Sequence, residues 1–175
     1  MIKKIILPTD GSDHANKAVD LAADLAAKYD AEIIVLHVLL RHQSVFDLLT
    51  LAQALKADPK IVEKLEELRE ASLQAAAAAY GGIVSLPAPD DVVDYIGELI
   101  CENTKTRIAA RSDIRVRTYS VDGSPAERIL NAEEHENADM IVMGSRGIGK
   151  WADMVMGSVS HKVSHLSKCT CVAVK

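Results

Sequence analysis

The sequence predicts an α/β fold: a five-stranded parallel sheet covered on both faces by helices. Three observations predict it. Short, mainly apolar runs recur at residues 2–7, 31–38 and 138–143, with Ile5-Ile6-Leu7, Ile33 to Leu36 and Met140 to Met143 apolar throughout, as in parallel strands buried on both faces. Between such runs lie longer stretches whose apolar residues return at helical spacing. A glycine-rich stretch at 144–150 follows one apolar run and precedes a helical one. That order sets bare backbone N–H groups beside a helix N-terminus, an arrangement suited to phosphate.

The elements follow in order. Residues 2–7 form the first strand, and Pro8 stops it because proline cannot donate to a ladder. Thr9-Asp10-Gly11-Ser12 is a tight loop at the strand's carboxyl end, with Ser12 as N-cap and Asp13 in the first helical turn. Residues 13–29 are an amphipathic helix, with Ala15, Ala18, Val19, Ala22, Leu25 and Ala26 on one stripe. Ala31 to Val38 is the second strand, completing a right-handed βαβ unit.

The middle of the chain is helical. Val45, Leu48, Leu49, Ala52 and Leu55 mark one helix; Asp58-Pro59 opens a second, which Gly81-Gly82 ends with a left-handed cap. An extended connector with two prolines leads to a third helix starting at Asp90 or Asp91. From Ile114 to Val121 apolar and polar residues alternate, which predicts a strand with one wetter face, near a sheet edge. Ser124 caps a helix with Pro125 in its first position, running to about residue 136. A strand over 138–143, a helix over 158–167 and a strand over 170–174 complete the chain. Ligands of such sheets bind beyond the strands' carboxyl ends, where strand order reverses. The loops after the first and fourth strands are expected to meet there.

Composition narrows the function. The 175 residues suit one domain, here 1–175, with a helical insert at about 41–111. One Phe and one Trp leave the core aliphatic. A net charge of −5 gives nucleic-acid binding no electrostatic support. No early apolar run is long enough for a membrane span or a secretion signal, so a cytoplasmic location is expected. The cysteines, Cys101, Cys169 and Cys171, are odd in number and form no disulfide framework.

Three motifs compete for the glycine loop. Gly144 to Lys150 fits GxxxxGK, but Trp151 stands where a Mg²⁺-ligating hydroxyl belongs. GxGxxG fails because Ala152 takes its last place. Gly144, Gly147, Gly157 and Ser158 fit G-x2-G-x9-G-S in full. This pattern resembles the ATP-binding branch of the universal stress protein family. The stretches Ile5–Ser12, Leu36-His37-Val38, Val121–Ala126, Ala138–Ser145 and Gly157–Ser160 resemble that family too.

The resemblance implies an adenine nucleotide alpha hydrolase-like sheet of order 3-2-1-4-5 and a homodimer joined through the last strand, 170–174. It implies ATP as cofactor, with Mg²⁺ or Mn²⁺. Asp10 and the backbone near Pro8, Thr9 and Val38 would hold adenine and ribose. Gly144, Ser145, Arg146, Gly147, Gly149 and Lys150 would wrap the phosphates, with Gly157, Ser158, Val159 and Ser160 meeting them at the helix start. Arg146 and Lys150 suit phosphate charge independently of the resemblance. Two departures stand out. The three helices within 41–111 exceed what the family usually places there, and Thr170 replaces a proline that many members carry after a cysteine.

Other polar residues have plainer readings. His161 and His165 share a helix face but lack the Glu of HExxH, so a surface or interface pair is expected rather than a metal site. His37 is read as a satisfied core histidine near the crevice. Trp151 either stacks on adenine or lies exposed at a contact. With no triad or paired carboxylates in view, the leading function is a nucleotide-dependent stress-response regulator. The alternatives are an ATP-using enzyme, by slow hydrolysis or nucleotidyl transfer, and an adaptor dimer with an empty crevice.

Overall fold

A computed structural model of the chain describes residues 1–39, 41, 43–78, 86–111, 113–148 and 156–175. Eleven elements are described, in the order β1 (Lys4–Pro8), α1 (Asp13–Tyr29), β2 (Glu32–Val38), α2 (Val45–Ala54), α3 (Pro59–Ala78), α4 (Asp90–Ala109), β3 (Val116–Val121), α5 (Pro125–Glu136), β4 (Met140–Gly144), α6 (Ser158–Leu166) and β5 (Thr170–Val174). The chain divides into two units, one of residues 1–39 and 100–175 and one of residues 40–99. The Gly81-Gly82 cap lies outside the described residues.

The first unit holds the sheet. Its five strands run in the order β3-β2-β1-β4-β5, and every recorded pairing is parallel. Alternate residues of each strand face opposite layers. On one side Ile5, Leu7, Ile33, Val35 and Val142 pack against Ala18, Val19, Ala22 and Ala26 of α1, with Ile108 of α4. On the other Ile6, Ile34, Leu36, Ile141 and Met143 pack against Ala126, Ile129 and Ala132 of α5 and Val163 of α6. The alanine stripe of α1 leaves no bulk between helix and sheet, so that helix sits close to the strands.

Turn chemistry sets the element ends. Pro8 is the last residue of β1 rather than a residue beyond it, and the ladder continues with Thr9 N–H donating to Leu36 O at 2.9 Å. β4 starts two residues later than the apolar run, because Asn137 turns the chain with a φ of 52° and Ala138 N–H donates back to Glu133 O. β3 starts at Val116, which pairs with Ile33 of β2; Ile114 packs against the core without joining the ladder. Its alternating pattern does belong to an edge strand. Ser124 occupies the N-cap of α5 but makes no capping bond with its side chain. Arg128 instead reaches back to the Asp122 carbonyl at 2.6 Å.

In the second unit α2 and α3 pack on each other, with Val45, Leu48, Leu49, Ala52 and Leu65 buried. Arg41 bridges Asp90 and Asp94, and Lys64 pairs with Asp91. α4 is divided between the units after Leu99. No described helix is long and apolar enough to cross a membrane.

Candidate functional site

Strand order reverses between β1 and β4: the chain steps outward from β1 to β2 and β3, then returns to β4 on the other side. The loops leaving these two strands therefore diverge at the carboxyl edge, where ligands of wound sheets bind. The structure brings them together. Asp10 Oδ2 accepts the Ile148 N–H at 3.0 Å, and Asp10 Oδ1 accepts the Ser12 N–H at 3.0 Å. One carboxylate thus shapes its own turn and touches the glycine loop. Gly11 has a φ of 80°, a region that favours glycine, and Ser12 Oγ caps α1 by accepting from Ala15 N–H at 3.2 Å.

Two successive residues of β2 hold the turn from behind. Leu36 O takes the Thr9 N–H, and His37 Nδ1 lies 2.9 Å from Thr9 O. The reading of His37 as a satisfied core histidine is half right: the residue is 1% exposed, and its Nε2 is buried with no hydrogen-bond partner among the described residues. Burial pushes its pKa below 6.5, outweighing the Thr9 carbonyl and the charge of Asp10, which both favour the cation. The unfolded chain therefore takes up a proton before the folded one does. The stability this group contributes is whole above pH 6.5 and is lost as pH falls from there through the lowered folded value. Urea unfolding between pH 8 and 5 is expected to show a stability decline beginning near pH 6.5. Asp20, Glu136 and Asp139, held low by Arg107, by Arg117 and by the backbone N–H groups of Lys3 and Lys4, add their losses only in more acid solution.

The glycine loop is closed tightly by its own backbone. Ser145 N–H donates to Val174 O of β5 at 2.6 Å, and Ser145 O accepts from Gly157 N–H at 2.8 Å and from the Ser160 hydroxyl at 2.7 Å. The amides of Ser145, Ile148 and Gly157 are thus committed inside the protein. Those of Arg146 and Gly147, and those of Ser158, Val159 and Ser160 in the first turn of α6, have no acceptor among the described residues. The Ser160 hydroxyl hydrogen is also committed, so Ser160 offers an anion its backbone N–H and not its side chain. The Ser145 hydroxyl is buried and unpaired.

Among the described loop glycines, Gly144 and Gly147 are needed for space, and none serves a left-handed turn. Positive φ is confined, among described glycines, to Gly11 and Gly123. A Cβ on Gly144 would lie 2.8 Å from Ala15 N and from His14 C in the first turn of α1. One on Gly147 would run into Asp10 Oδ2. One on Gly157 would meet nothing nearer than 3.4 Å.

The other expected site residues take their places as follows. Pro8 and Val38 end their strands at the same edge of the sheet, and no hydrogen bond joins either to the glycine loop. Arg146 is half-buried and makes no ion pair with another described residue. Gly149, Lys150 and Trp151 lie outside the described residues. His161 and His165 are exposed and stack with ring centroids 6.5 Å apart. Among the described residues no three His, Cys, Asp or Glu side chains gather as metal ligands.

Sequence reasoning missed the partners of two buried groups. Glu133 is 5% exposed, and its Oε1 accepts from Lys168 N–H and Cys169 N–H, each at 2.7 Å, fixing the turn from α6 into β5. Periodicity marks Glu133 as a member of the inward face but not its partners. His37 carried a signal, a lone polar residue inside an apolar run, without indicating what it would hold.

Comparison with known proteins agrees with this architecture. The model of the universal stress protein family matches residues 1–175. Universal stress protein YxiE of Bacillus subtilis is 33% identical over 180 residues, covering 100% of each chain. Among solved structures, a universal stress protein in complex with cAMP superposes with a TM-score of 0.59 at 20% identity, covering 99% of this chain and 96% of that one. A universal stress protein from Archaeoglobus fulgidus in complex with dAMP gives 0.60 at 15% identity, covering 100% and 98%.

Proposed function

We propose, for a chain that belongs to the universal stress protein family, that it binds ATP at the carboxyl edge of its sheet and acts as a nucleotide-dependent regulator in the cytoplasm. The observation that carries this reading is the bond between Asp10 Oδ2 and Ile148 N–H. It joins the two loops of the switch point beside a helix start whose amides have no acceptor among the described residues. Phosphates would lie on the free amides of Arg146, Gly147 and the first turn of α6, where the helix dipole is positive and Arg146 adds charge. Adenine and ribose would lie along Pro8, Thr9, Asp10 and the end of β2. Relatives of the same fold that hold cAMP and dAMP support an adenine nucleotide; the three phosphates are inferred from the G-x2-G-x9-G-S spacing of Gly144, Gly147, Gly157 and Ser158, which resembles the family's ATP-binding branch. Mg²⁺ would travel on the phosphates, since the described residues gather no ligand set of their own.

The open edge of β5, with half-buried Cys171, Val172, Ala173 and Val174, supports a homodimer through that strand. Calorimetric titration of the protein with ATP and Mg²⁺ tests the main reading. Saturable binding, weaker for AMP, is expected. A flat titration from protein whose circular dichroism shows it folded would remove the nucleotide from its function.

A further inference from the structure

The Asp10 turn owes its position to a residue on a neighbouring strand. Thr9 is held at both backbone groups by β2: its N–H by Leu36 O and its C=O by His37 Nδ1, each at 2.9 Å. A carbonyl only accepts, so Nδ1 must carry the proton, and in the neutral ring Nε2 is left bare. That bare nitrogen is buried with no partner among the described residues, so a second proton placed there would find no acceptor among them. The ring is therefore fixed as one neutral tautomer that donates in one direction. The next residue along the chain is Asp10, whose two oxygens reach Ser12 N–H and Ile148 N–H. A continuous path runs from His37 to Thr9, to Asp10, to the glycine loop. Gly147 leaves the space that the Asp10 carboxylate fills.

We infer that His37 is a positioning residue: its Nδ1–H, by holding the Thr9 carbonyl, aims the Asp10 carboxylate at the Ile148 amide and so sets the gap between the two loops. A core histidine conserved in role only for its bulk would be replaceable by an apolar side chain of similar size. A positioning histidine is replaceable by a group that donates from the same place. Asparagine does so, because its side-chain nitrogen is attached as Nδ1 is, one carbon beyond Cβ; leucine fills the space and donates nothing.

The inference has one arm independent of nucleotide and one that rests on the ATP reading. In the first, amide hydrogen exchange of Ile148 is followed by NMR in wild type, His37→Asn and His37→Leu without ligand. His37→Asn is expected to keep the wild-type rate, and His37→Leu to exchange about tenfold faster, the loss of roughly one hydrogen bond's worth of order. In the second, ATP affinity is expected to follow the same ranking. Should the leucine variant not fold, His37→Gln takes its place, since its amide lies one carbon too far along the chain. A leucine variant, or its glutamine substitute, with wild-type Ile148 exchange overturns the inference. So does a folded asparagine variant exchanging as fast as leucine. If exchange ranks as expected while wild type binds no ATP, the positioning role stands and only the nucleotide reading falls.

Discussion

Replacing Gly147 with valine is expected to lower ATP affinity at least about 100-fold, which corresponds to ~2.7 kcal/mol, while the sheet stays folded. The cause is crowding between the two loops. Any Cβ at this position runs into Asp10 Oδ2. A carboxylate can swing aside, but then Ile148 N–H loses its acceptor and the join between the loops opens. The isopropyl group would also cover the free amides of Arg146 and Gly147, on which the phosphates are proposed to rest. Gly147 is exposed and far from the packed layers, so urea unfolding should change little. Calorimetry reads the first effect and urea the second. Wild-type affinity in the valine variant would move the phosphates elsewhere; loss of folding would make the loop architectural.

Gly144→Ala should do the opposite, with its main effect on stability. The added methyl would sit 2.8 Å from Ala15 N and His14 C and 2.9 Å from Arg146 O, all backbone atoms. No side chain can rotate away. α1 must lift, and its alanine stripe is packed against β1, β2 and β4 with no exposed surface to spare. Overpacking of this kind costs about 1–3 kcal/mol, and rigid neighbours put this site at the upper end. Gly157→Ala is the matched control: its nearest contact would be 3.4 Å, and its φ of −71° suits any residue, so unfolding near wild type is expected. Equal losses in the two variants would mean that glycine serves both positions through chain flexibility and not through clearance.

Local pattern made the sheet legible. Ile5-Ile6-Leu7 and Ile33 to Leu36 are apolar on both faces, which only an interior parallel strand requires, and the alternation through Arg117 and Ser120 marked an edge. Strand order came from the resemblance, since periodicity carries no information about neighbours. The glycine spacing marked the turn between β4 and α6 but not what each glycine does there. Spacing cannot tell a residue that needs left-handed backbone from one that needs empty space, and the space at Gly144 belongs to a helix about 130 residues earlier. The partners of Glu133 and His37 were hidden for the same cause. Each satisfies backbone groups remote in sequence, and composition shows a polar residue on an inward face without showing its partner. Ser124 failed differently: the capping residue is present, yet Arg128 draws the preceding turn away from it.

The 2.6 Å bond from Ser145 N–H to Val174 O means that the first amide of the glycine loop is anchored on the outermost strand. Slack or tension in one is shared by the other. If the proposed nucleotide shifts this amide, the shift passes to β5 through that bond, and by thermodynamic reciprocity a second copy pairing with that edge would shift the nucleotide's affinity by the same factor.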